Sequence, residues 1–211
     1  MSQGKPFLSK FGYWLLVCVI VFTSILVYKV NKTLHITETK KQEYAGPILQ
    51  QAFGIDSSNP FVIQIPEQET FVNISEISED KGSIYGGYQD ETGSGTVTID
   101  INLLSLIGSE QEKAYTGLMI VSNEALETYT YYVATYKYNR QTEHMELLDS
   151  ARLGQDISID AYEPSNDLVH IELTKNTNHL NNSQVDIERL SIIACISKAY
   201  SIDLLQERLH N

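Results

Sequence analysis

Phe11 to Tyr28 is a run of eighteen residues without a charge, with Trp14 near one end, Tyr28 at the other and lysines just beyond both. A helix rises about 1.5 Å per residue and a bilayer's hydrocarbon core is about 30 Å thick, so the run, extended to Val30, can just cross it. A cleaved signal peptide has a shorter apolar core followed by small residues at its cleavage site. Here the run leads into Lys29-Val30-Asn31-Lys32, with no Ala-x-Ala triplet. The expectation is an uncleaved signal-anchor: a short tail over 1–10, a single-pass transmembrane helix over 11–30 that partners the membrane, and a water-facing remainder.

Orientation pulls two ways. Lys5 and Lys10 precede the run and Lys29, Lys32, Lys40 and Lys41 follow it, a lysine count that favours a cytoplasmic C-terminus. The N-terminal tail is short and free of acidic residues, however, and the remainder is rich in Tyr, Asn, Thr and strand-like segments. We therefore expect a bacterial inner-membrane protein whose C-terminal domain is periplasmic or extracellular.

Charge narrows the partners. The first 41 residues hold six Lys and one Glu, whereas residues 42–211 hold nine Lys or Arg against 26 Asp or Glu. Such a domain is repelled by phosphate backbones, so nucleic acid is excluded as a partner. Of two cysteines, Cys18 lies in the apolar run, which leaves Cys195 alone and allows no disulfide within the domain. A core that needs no staple fits a bacterial envelope protein.

From residue 31 to 59 the sequence permits a helical stalk or linker, interrupted at Gly46-Pro47, with a short second helix starting at Pro47 and closed by Gly54. After Asn59-Pro60 short apolar runs alternate with turn residues, the mark of consecutive strands. Phe61–Ile65, Thr70–Ile77, Ser83–Tyr88, Thr96–Ile101, Gly117–Ser122, Thr128–Tyr138, Glu143–Leu148, Asp156–Ala161 and Leu168–Thr174 are the candidates. Beyond Ser183, a plausible N-cap, Ile187, Leu190, Ile193, Ala194, Tyr200, Leu204, Leu205 and Leu209 recur at three- and four-residue steps, which predicts a C-terminal helix. The fold class expected is therefore α+β: anchor and stalk, then a β-rich domain over 60–211, an antiparallel sheet or sandwich, ending in a helix.

No catalytic motif stands out. There is no Gly-x-Ser-x-Gly and no phosphate-binding Gly-rich loop ending in Lys-Ser or Lys-Thr. His144-x-Glu146 and His170-x-Glu172 each place a histidine and a carboxylate on one face of a strand, which makes these four the candidate metal ligands. Polar alternation on a solvent-facing strand produces the same spacing, so no metal or other cofactor is expected. Tyr129, Tyr131, Tyr132, Tyr136 and Tyr138 crowd into ten residues. On a strand Tyr129 and Tyr131 face one way and Tyr132, Tyr136 and Tyr138 the other. Tyrosine is enriched both in sheets and at interfaces, so Tyr129, Tyr132, Tyr136 and Tyr138 are the candidate binding residues.

Three segments carry a resemblance: Tyr131-Tyr132-Val133-Ala134, Leu153-Gly154-Gln155-Asp156 with Ile157 and Ile159, and Asp167-Leu168-Val169-His170-Ile171. Through them residues 115–176 resemble uncharacterised bacterial envelope and lipoprotein domains built from degenerate FG-GAP, propeller-like strands. The Asp- and Gly-rich turn that precedes the Tyr-Tyr strand in that family is reduced here to Asp100, Asn102 and Gly108. The resemblance implies a binding or structural role. The function expected is that of a component or accessory factor of a bacterial envelope complex, bound to another envelope protein. The alternative is an anchored envelope hydrolase that uses carboxylates or a His/Glu-bound metal.

Overall fold

Apolar residues at every second position are what turn this chain into strands. Phe61, Ile63 and Ile65 are buried while Val62 and Gln64 are exposed, and Val97 and Ile99, or Val169, Ile171 and Leu173, repeat the pattern. The computed structural model describes residues 48–91, 93–178 and 185–208. Among these are thirteen strands, one α-helical segment over 48–53 (α1) and a three-residue 3-10 turn, Ile101–Leu103.

The strands form three sheets, and every ladder is antiparallel. β1 (Phe61–Gln64) and β2 (Phe71–Ile74) make a hairpin. β3 (Glu76–Ser78), β4 (Ser83–Asp90), β5 (Gly93–Asp100), β7 (Ala114–Asn123), β8 (Thr128–Asn139) and β9 (His144–Gln155) follow one another across the largest sheet, with β6 (Ser105–Ile107) beside β7. β10 (Ile157–Ser165), β11 (Leu168–Asn178), β12 (Val185–Ile196) and β13 (Ile202–Arg208) form a second up-and-down sheet.

The first two sheets share one core. Only Ser75 separates β2 from β3, and its amide bonds to the Tyr85 carbonyl at 3.1 Å, so one continuous course of chain pairs first with β1 and then with β4. β2 also lies against β4, where a Cβ on Gly86 would run into the Asn73 carbonyl. At the other end of the series β9 lies against β1. Ile63, Ile74, Ile84, Val97, Met119, Tyr132, Tyr136 and Met145, one or more from each of these strands, point into the core they enclose.

α1 closes that core. Gly54, at φ 63°, ends the helix as a left-handed cap: its amide bonds to the Gln50 carbonyl, and the Ile55 amide takes up the Leu49 carbonyl. Ile48, Leu49 and Phe53 are buried. Phe53 meets the rings of Phe61, Tyr115 and Tyr136 edge-on at centroid distances of 5.6, 5.1 and 6.0 Å, and the Tyr115 hydroxyl donates to the Phe53 carbonyl at 2.7 Å. This segment is thus part of the folded domain and not of a stalk.

The opposite face of the large sheet is covered by β10–β13. Val133, Ile107 and Ala114 pack there with Ile171, Ile192 and Ala194. A single residue, Asp156, carries the chain from β9 into β10. It stands at φ 52°, a region that Asp tolerates better than most residues. Its amide donates to the Tyr129 carbonyl at 2.8 Å while its carboxylate accepts the Tyr129 amide at 2.9 Å.

Two expectations are corrected here. The fold is mostly β and not α+β: the expected C-terminal helix is replaced by β12 and β13. Leu190, Ile192, Ala194 and Ile196 satisfy a period of two as well as Ile187, Leu190, Ile193 and Ala194 satisfy a helical one. The β-branched isoleucines and an available partner strand decide for the sheet. The single-pass transmembrane helix is also not carried forward. No helix of the described residues is long and apolar enough to cross a membrane, and the stretch 11–30 on which that expectation rested lies outside the described residues.

Candidate functional site

Seven strand positions enclose the first core: β1, β2 with its continuation β3, β4, β5, β7, β8 and β9. Each neighbour reverses direction, so an odd count leaves the first and last strands pointing the same way. β1 and β9 are that pair, and no ladder joins them. Between them runs a groove of about 480 Å³.

Backbone polar groups face this seam from both sides. The Ile65 amide bonds to the Thr70 carbonyl on the β2 side at 2.8 Å. Hydrogen-bonded and non-bonded pairs alternate along an antiparallel ladder, so Phe61 and Ile63 also address β2 while Val62 and Gln64 turn their N–H and C=O toward β9. On the other wall, the Tyr138 amide bonds to the Lys113 carbonyl at 3.0 Å. By the same alternation Lys137 and Asn139 address Glu146 and His144, and Met145 and Leu147 present their backbone groups to the seam. At one end side chains substitute for the missing ladder, the Ser57 hydroxyl and Asn59 amide donating to the Glu143 carbonyl at 2.9 and 3.1 Å. At the other end Arg152 meets Glu67 at 3.5 Å, both exposed.

The lining is apolar where a surface is ordinarily polar. Val62, Phe71 and Leu148 are 41%, 66% and 39% exposed and all border the groove. Its charged members, Glu67, Glu146 and Asp149, are all acidic.

The candidate binding tyrosines fall into different places. Tyr136 is fully buried, with its ring edge-on to Phe61 at 6.0 Å, and Tyr132 is 5% exposed. Burial, and secondarily Tyr162, holds the Tyr136 phenol far above its ordinary range. Tyr138 is half-buried against the same core, and Tyr129 alone is exposed, at 53%. Both faces of β8 are covered, which leaves Tyr132 and Tyr136 no surface to offer a partner.

The four candidate metal ligands do not converge. His144 and Glu146 stand on β9 in the large sheet; His170 and Glu172 stand on β11 in the other. Glu146 accepts from the Asn139 side-chain amide at 3.0 Å, and His170 Nε2 is 2.9 Å from the Ser191 hydroxyl. Among the described residues no three His, Cys, Asp or Glu side chains are grouped to hold a metal ion. Asp100 caps the 3-10 turn by accepting the Asn102 amide at 2.9 Å.

Sequence reasoning passed over Val62, Phe71 and Leu148. The available signal was an apolar residue on the polar half of the strand alternation: Val62 between buried Phe61 and Ile63, and Phe71 beside buried Val72. Compared with known protein families, curated proteins and solved structures, the chain has no significant match.

Proposed function

We propose that this domain is an extracytoplasmic binding module, a component or accessory factor of a bacterial envelope complex that docks another envelope protein. The observation that carries this reading is the gathering of three exposed apolar side chains, Val62, Phe71 and Leu148, along one groove between two unladdered strands. Scattered exposed apolar residues need no explanation; a row of them bordering a concave surface marks an interaction site.

A photoreactive phenylalanine analogue placed at position 71 or, on the outer face of the β10–β13 sheet, at position 205 tests the reading in intact cells. Phe71 and Leu205 are both exposed, so neither replacement disturbs a core. The reading predicts an adduct of discrete mass from at least one position, identified by mass spectrometry as an envelope protein. Monomer alone from both positions, or adducts with cytoplasmic proteins, contradicts it.

A further inference from the structure

The parity of the wall says what kind of partner the groove takes. A strand lying between β1 and β9 raises the count around the core from seven to eight, and it can run antiparallel to both neighbours at once. Antiparallel pairing is the more stable arrangement per residue, and it needs no crossover. The backbone groups of Val62 and Gln64 on one side and of Met145 and Leu147 on the other already face that position. Strand addition of this kind draws affinity from main-chain hydrogen bonds and specificity from side-chain pockets.

We propose that an extended segment of the partner protein docks in the β1–β9 seam as an additional strand, antiparallel to both. This rests on the binding reading above and names its site and its ligand. Side chains alternate sides along a strand, so the segment carries apolar residues at every second position toward Val62, Phe71 and Leu148. Its charge is positive: Glu67 and Glu146 border the groove, the one cation at its end, Arg152, is already paired with Glu67, and the chain as a whole carries a formal charge of −12. Lys or Arg at the ends of the segment meets that rim.

Room for the strand comes from the hairpin. Two strand spacings amount to about 10 Å, whereas Cα atoms of β1 and β9 now approach within 8 Å. The Ser57 and Asn59 bonds to Glu143 hold one end of the seam. The other end is held across the surface by the Glu67–Arg152 pair, whose partners are both exposed, so that solvent screens the attraction. In this proposal the Glu67 end of the β1–β2 hairpin moves outward to admit the strand, while Phe61 and Ile74 at its other end stay in the core.

The test uses the full-length chain and a fluorescent synthetic peptide that alternates valine and threonine with a lysine at each end. Saturable binding is expected by anisotropy. Proline at the centre of the peptide, or glutamate in place of both lysines, weakens it about tenfold or more, the scale of one or two lost hydrogen bonds. Val62→Pro does the same, because the Val62 amide faces the seam and proline is tolerated on a free strand edge. Phe71→Ser, on the surface, is the second variant and answers the question if Val62→Pro fails to fold. No saturable binding up to about 1 mM, or binding unchanged in the folded variants, overturns the seam proposal. An envelope adduct from position 205 with no peptide binding rejects the seam alone; the absence of any adduct rejects the binding reading itself.

Discussion

Tyr136 fills the centre of the first core, and its hydroxyl has no hydrogen-bond partner there. The ring does the stabilising: truncating a buried aromatic to alanine costs about 3–5 kcal/mol, whereas an unpartnered buried hydroxyl is a liability. Tyr136→Phe is accordingly expected to leave urea stability unchanged or to raise it by about 1 kcal/mol, and Tyr136→Ala to lower it by about 3–5 kcal/mol. A loss above about 1 kcal/mol in the phenylalanine variant contradicts this placement. Tyr162 adds a pH dependence. Burial pushes its phenol up to about 12, with a small opposing contribution from the Thr116 hydroxyl. A raised folded-state pKa means that its contribution is complete below about pH 10 and disappears as pH rises through about 12. Urea midpoints should hold steady from neutral pH to about 9 and then fall, and Tyr162→Phe should flatten that fall; an unchanged slope removes Tyr162 as its source. The two sides of the tyrosine cluster could be read from strand alternation. Which side is core could not, because β8 is covered on both faces: by α1 and the hairpin on one, by β10–β13 on the other.

At the scale of elements, β13 is held by more than its ladder to β12. Asp149 on β9 accepts the Ile202 amide at 2.7 Å, and Thr135 on β8 donates to the Tyr200 carbonyl at 2.7 Å. Both bonds tie the β12–β13 turn to the large sheet. A hydrogen bond to a carboxylate is worth about 1.5–3 kcal/mol, so Asp149→Ala should lower stability by about that amount and speed amide exchange at Ile202 ahead of the rest of β13. Unaltered exchange at Ile202 shows that the carboxylate does not hold the turn. The middle strands were legible in the sequence as apolar alternation between turns. β12 and β13 were not, since an isoleucine- and leucine-rich segment satisfies both periods, and only the presence of β11 as a partner edge selects one. α1 was legible from Gly54, but its burial was not, because Ile48, Leu49 and Phe53 show one apolar face without showing what covers it.

For the whole molecule, seven strand positions around one core make the β1–β9 junction a consequence of counting. No local change in turn or side chain removes it while the order of strands is kept. The candidate site therefore escaped residue-by-residue reading: Val62, Phe71 and Leu148 sit on three strands, and only the closure of the wall brings them to one groove. The central claim is that β1 presents a free edge there. Site-resolved amide hydrogen exchange on the full-length chain measures it directly. Along β1 and the residue that follows it, the Val62 and Gln64 amides should exchange much faster than those of Ile63 and Ile65, which bond toward β2; equal protection at all four positions contradicts the account.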